Sequence, residues 1–281
     1  MGGINRIKSV MCICKYQMEI QYKDLRTRAV FLMLFLYMGG LLSPLRDFSK
    51  MIDQGISLWL FPVFTNDMVC SMILFCFWCI LVCDTPFRNK GYLYYVGRTG
   101  KLIWMFGQLL FLLVFSAIYM FSIQIFSMIL SLPHLIFTAE WGKTLGTLAY
   151  TDASLSFPMP FSLPGSLMSA MSPLEATVYS MLLAWMAAFL LGTVILAINY
   201  IGKTTIGAVC AIALVLFDIT VNNVLDWIWL RYSPVSLTRL SLLMGRFTYI
   251  NAAWALKFLT GITLITIGAV LICVKTRKGL E

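Results

Sequence analysis

The chain has 281 residues, 60% of them hydrophobic and 12% charged, with a formal net charge of +9 and a mean hydropathy of +0.87. A water-soluble domain cannot hide that much apolar surface, and basic residues scattered over several short segments argue against a nucleic-acid surface. A single histidine excludes a His-pair metal centre.

Residues 1–28 form the first predicted element. Ile4, Ile7, Met11, Cys14, Met18, Tyr22 and Leu25 recur every three or four positions, while Arg6, Lys8, Lys15, Gln17, Glu19, Lys23 and Arg26 occupy the remainder. That spacing predicts an amphipathic helix lying in the cytoplasmic membrane interface; a soluble helix packed on a partner is the other solution. No cleavable signal peptide is expected, because this polar and basic stretch is too long for an ordinary n-region.

Residues 29–281 read as one all-α domain of six transmembrane helices: Ala29–Leu45, Trp59–Val82, Leu102–Leu132, Thr177–Tyr200, Thr204–Val221 and Asn251–Val274. Crossing about 30 Å of hydrocarbon takes roughly 20 apolar residues, and the first run only just reaches that. With the N-terminus inside, fourteen of the twenty-one Lys and Arg residues fall on the cytoplasmic side. The positive-inside bias therefore predicts a multi-pass cell-membrane protein with both termini cytoplasmic. The net charge reads first as topology and attraction to the anionic lipid bilayer, and nucleic acid is not an expected partner.

Between spans two and three lies a cytoplasmic loop, 84–101. Asp84 or Thr85 can cap a helix with Pro86 at its first position, and Gly97 or Gly100 can end it. The predicted helix of about three turns carries Phe87, Tyr92, Leu93, Tyr94 and Tyr95 with Arg88, Lys90 and Arg98. It fits an interfacial belt or a docking knob. The outer segments are 46–58, 133–176 and 222–250. Pro158, Pro160 and Pro164 exclude a regular helix around them. The last outer segment, with Trp227, Trp229, Tyr232 and several leucines broken by Pro234, is too apolar for a solvated loop. A broken, re-entrant or interface-hugging helical pair is expected there.

Polar residues inside spans are costly and commonly face a cavity or a partner. Gln108 and Gln124 in span three, Asn199 at the inner end of span four, Asp218 in span five and Lys257 in span six are the candidate cavity or gate residues. Asp218 and Lys257 sit at similar depth, about 9 Å inside the outer boundary, and a pair between them is expected. Ala197 to Thr204 matches a loose phosphate-loop pattern, but its setting on a turn between two spans makes it a coincidence. No catalytic, cofactor-binding or metal residue is assigned, and the chain is not expected to be an enzyme. The eight cysteines form no disulfide framework; most lie in or beside spans as small apolar residues.

In order, these elements are an interfacial helix, six spans, a basic-aromatic helix after span two, a minimal turn after span four and a broken apolar segment after span five. Together they resemble the ABC-2 type permease family. The resemblance covers the whole chain and rests on this architecture and on Asp84–Arg98, which is similar to that family's coupling helix. It implies the transmembrane permease subunit of an ATP-driven exporter, paired with a second permease copy or paralogue. A separate ATP-binding-cassette subunit would hold ATP and Mg, neither bound by this chain. Coupling would then run through Pro86, Phe87, Arg88, Lys90, Tyr92, Tyr94, Tyr95 and Arg98. Within the family the chain is similar to small exporters of amphipathic or antimicrobial peptides, such as the phenol-soluble modulin exporter permeases, which implies a peptide substrate. Its seventeen Met and twenty Phe would suit a plastic apolar cavity, though helix packing and lipid contact account for most of them. A secondary transporter would call for more intramembrane charge and an inverted repeat. A non-transporting scaffold or sensor is the other alternative.

Overall fold

Helices follow the apolar runs, and most extend a few residues past them. The computed structural model describes residues 3–87, 91–151, 153–202, 206–225, 227–244 and 251–276. In chain order the helices are α1 (Gly3–Lys23), α2 (Leu25–Met51), α3 (Phe61–Asn66), α4 (Met68–Leu81), α5 (Tyr92–Thr99), α6 (Lys101–Ser131), α7 (Lys143–Tyr150), α8 (Ala153–Ser156), α9 (Gly165–Ala170), α10 (Pro173–Ile201), α11 (Ile206–Asn223), α12 (Leu240–Met244) and α13 (Ala252–Thr276). Among the described residues the only strands are β1 (Ile56–Ser57) and β2 (Leu135–Ile136), a two-residue parallel bridge.

Among the described residues five helices, α2, α6, α10, α11 and α13, are long and apolar enough to cross a membrane. Their outward faces carry large apolar side chains: Leu32, Met33 and Leu36 on α2, Phe121 and Ile125 on α6, and Leu264, Ile265 and Ile272 on α13 are all at least half exposed. Helices apolar on every side fit a lipid solvent, not water. The second expected span is not one helix. Asp67, in extended backbone, ends α3 and caps α4, its Oδ1 accepting from the Cys70 N–H at 2.9 Å. The 14 residues of α4 reach about 21 Å, short of a full hydrocarbon core.

In lipid, helices associate by close packing and interhelical hydrogen bonds, since burying apolar surface gains little. The core around α10 shows both. Ser172 and Glu175 form a reciprocal capping box at its start, with Pro173 in the first turn. Trp78 of α4 is fully buried; its indole N–H donates to the Ala188 carbonyl of α10 at 2.7 Å. Its ring lies 5.7 Å from Phe115 and 5.5 Å from Tyr119 of α6. The Tyr119 hydroxyl donates back to the Leu74 carbonyl at 2.7 Å, so α4, α6 and α10 are locked at one level.

The amphipathic N-terminal helix forms, but only part of its apolar stripe, Cys14 and Met18, packs on protein. Ile13, Cys14, Gln17 and Gln21 pack inward, while Ile7, Met11 and Tyr22 are exposed. The inward polar residue Gln21 is satisfied, donating to Thr27 of α2 at 2.9 Å and to the Leu81 carbonyl of α4 at 3.1 Å. Ile13 meets α6 where Gly107 leaves room: a Cβ there would stand 2.5 Å from Ile13 Cγ2. Along α1, then, one face touches protein, a second is an exposed apolar stripe and a third is basic.

At the opposite end, residues 133–172 make a platform. Trp59 donates to Thr138, Gln124 to Leu58 and Thr144 to Gly55, at 2.8, 2.7 and 2.7 Å. The stretch between α8 and α9 is non-helical, as its prolines require. The segment after α11 is broken into 3-10 turns, Trp227–Tyr232 and Ser236–Thr238, followed by α12. Ser233 to Leu240 fold back into the protein, and all eight residues are buried.

Candidate functional site

The loop after α4 divides into a buried corner and an exposed helix. The expected helix start at Pro86 is not observed: Pro86 and Phe87 are buried, and helix begins only at Tyr92. Packing explains the difference. Phe87 sets its ring edge-on against Phe111 of α6 at 5.6 Å, and the Thr85 carbonyl is held by Asn199. Phe87 is therefore a wedge in the bundle and not an accessible docking residue. Arg88 and Lys90 lie outside the described residues.

Helix α5 is gripped on two sides. Tyr92 packs on Trp104 of α6 at 4.7 Å, and Tyr95 on Tyr16 of α1 at 4.9 Å. Partial burial raises the Tyr95 hydroxyl pKa above its ordinary value. What remains open is Leu93, 78% exposed, Tyr94, 63% exposed, and Arg98, which donates to the Tyr94 hydroxyl at 2.9 Å. A cleft of about 420 Å³ beside them is lined by Lys8, Cys12, Tyr94, Tyr95 and Arg98 among others. The result is a basic-aromatic surface on a short helix whose buried side is fastened to α1 and α6.

The candidate cavity residues do not converge on one space. Asn199 is a clamp: its amide donates to the Cys83 and Thr85 carbonyls at 2.7 and 2.8 Å, and its oxygen accepts from the Gly207 N–H at 2.8 Å. It joins the loop after α4 to the first turn of α11. A Cβ at Gly207 would collide with the Asn199 oxygen at 2.6 Å, so glycine permits this approach. Gln108 is buried on α6, with no hydrogen-bond partner for its Oε1 among the described residues. Gln124 holds Leu58 at the far end of the same helix.

The expected Asp218–Lys257 pair is replaced by another. Asp218 is fully buried and binds the guanidinium of Arg239, with Ser233 donating to it at 3.1 Å and Ser236 also donating. Arg239 is 5% exposed and also donates to Asn222 at 3.3 Å. Lys257 is exposed on α13. Depth along straight helices suggested the wrong partner because the segment after α11 returns into the bundle, carrying Arg239 back to the level of Asp218. Arg239 is the functional candidate that sequence reasoning missed. The available signal was an arginine inside an apolar segment, close in sequence to an intramembrane aspartate.

Ala197 to Ile201 of the phosphate-loop match are the final turns of α10, and Lys203 and Thr204 lie outside the described residues. A helix interior offers no free backbone N–H cradle for phosphate. Among the described residues no group of three or more His, Cys, Asp and Glu could hold a metal ion. Comparison with known protein families, curated proteins and solved structures gives no match.

Proposed function

We propose that this chain is a membrane permease subunit driven by a separate ATP-binding subunit that docks on α5. The observation carrying this reading is the divided character of α5. Tyr92 and Tyr95 tie it to α6 and α1, while Leu93, Tyr94 and Arg98 are presented outward beside a basic cleft. A helix free on one side and fastened to a long spanning helix on the other passes a push directly into the bundle. The basic cleft suits an acidic surface on the partner.

In this account α3 and α4 together make the sixth crossing, since the 6 helical residues before Asp67 and the 14 after it rise about 30 Å between them. The buried segment after α11 is re-entrant, and α5 and both termini face the cytoplasm, as the charge bias requires. The transported molecule is an amphipathic or antimicrobial peptide, and a second permease copy completes the path. A non-transporting scaffold is favoured by one observation: Gln108, Gln124, Asn199 and Asp218 are separated by packing and do not line a common cavity. A path formed between two copies accommodates the same fact.

The test is purification of the full chain from its native membrane in mild detergent. A co-purifying subunit with Mg-dependent ATP hydrolysis is expected, and Leu93→Ala with Tyr94→Ala should remove it while the permease still inserts. Hydrolysis and co-purification unaffected by that change would reject the reading.

A further inference from the structure

An open groove of about 1120 Å³ runs between α1, α6, α10 and α13, and nothing in the transport reading uses it. Its walls are Ile103, Phe106, Leu110 and Leu113 of α6, Phe189 of α10 and Ile267 of α13. Three cations stand at one end: Arg6 of α1, Lys101 in the first turn of α6 and Lys275 in the last turn of α13. Among the described residues none that lines it is acidic. Lys101 to Leu113 spans twelve helical positions, about 18 Å, slightly more than half of a ~30 Å hydrocarbon core.

We propose that this groove binds an anionic phospholipid of the leaflet that meets the end of the bundle carrying α1. The headgroup phosphate sits among Arg6, Lys101 and Lys275, and an acyl chain lies along α6 toward Leu113. Both halves of the ligand follow from the site. Three convergent cations favour a negative headgroup over a zwitterionic one, and a wall of Ile, Leu and Phe one leaflet deep matches hydrocarbon. Free phosphate would leave the wall unused. An extended peptide would leave its N–H and C=O groups unsatisfied against that wall. A second copy meeting the same face about a two-fold axis would bring like charges together. The exposed Ile7 and Met11 on α1 continue the apolar surface outward, so the lipid enters sideways from the bilayer. The inference does not depend on transport or on an ATP-binding partner.

Its test is electron spin resonance on the full chain in phosphatidylcholine vesicles, comparing spin-labelled phosphatidylglycerol with spin-labelled phosphatidylcholine. Wild type should hold phosphatidylglycerol with about a tenfold preference. The triple change Arg6→Gln, Lys101→Gln and Lys275→Gln should cut the preference to about twofold or less. The charge-conserving set Arg6→Lys, Lys101→Arg and Lys275→Arg should keep it. Ile103→Trp, which fills the groove, should reduce retention of the anionic lipid with the cations intact. Should the neutral triple lose helicity by circular dichroism, Lys275→Gln alone, on a terminal turn, gives the same readout with a smaller drop. Equal retention of the two lipids by wild type would overturn the proposal. So would a preference that survives neutralisation, displacement of the lipid by inorganic phosphate, or disulfide capture of a second copy through Phe106→Cys.

Discussion

Replacing Arg239 with Met tests the polar anchor of the returning segment. Asp218 is fully buried and Arg239 nearly so, and Ser233 and Ser236 complete the carboxylate's shell. Removing the guanidinium leaves a buried carboxylate with two hydroxyl donors. In soluble proteins, truncating one member of such a pair costs about 3–5 kcal/mol. Hydrogen bonds between membrane helices average nearer ~0.6 kcal/mol, so the lower figure, about 3 kcal/mol, is the better expectation. With a midpoint shift of roughly 2–4 °C per kcal/mol for chains of this order, thermal unfolding in detergent should fall by about 6–12 °C. Asp218→Asn should cost a comparable amount by stranding Arg239, and the double variant should recover part of the loss, since the two effects share one interaction. Lys257→Met, on an exposed position, should stay within about 0.5 kcal/mol of wild type. Additive losses in the double variant, or a Lys257 effect equal to that of Arg239, would refute the assignment.

Asn199→Leu removes both donors to the Cys83 and Thr85 carbonyls and the acceptor for Gly207. Three unpaired buried groups should cost about 2–4 kcal/mol, read as a lowered unfolding midpoint; Asn199→Asp, which keeps only the acceptor, should recover little. Gly107→Val would place a methyl-bearing carbon against Ile13 and should cost about 1–3 kcal/mol. Faster proteolysis between α1 and α2 is expected, with recovery when Ile13→Ala is added. Cys12 is exposed, whereas Cys14 is 8% exposed and burial pushes its thiol pKa up. Because the thiolate is the reactive form, maleimide should modify Cys12 at least about tenfold faster; equal rates would contradict the packing of α1.

The long helices were legible in the sequence because each needs only an unbroken apolar run. The start of α10 lies a few residues before the apolar run because Ser172 and Glu175 cap it there. The break at Asp67 had a local signal, Asn66-Asp67 in the middle of an apolar run, where a carboxylate can cap the next turn. The burial of Pro86 and Phe87 had none. It depends on Asn199 and Phe111, far away in sequence, so a valid local helix-start pattern was overridden by tertiary contacts. On α1 the apolar stripe was visible, but which face meets protein depended on Gln21 finding Thr27 and Leu81 and on the space left at Gly107. Hydropathy alone places Arg239 in an outer segment, because it cannot show that a broken segment returns to the bundle.

A photo-crosslinking residue at position 94, introduced separately from one at Phe121 on the lipid-facing side of α6, tests the permease reading most directly. In native membranes the account expects position 94 to give one protein adduct that binds ATP, and Phe121 to give lipid adducts only. Position 94 yielding only lipid adducts, or a protein adduct that does not bind ATP, would contradict it.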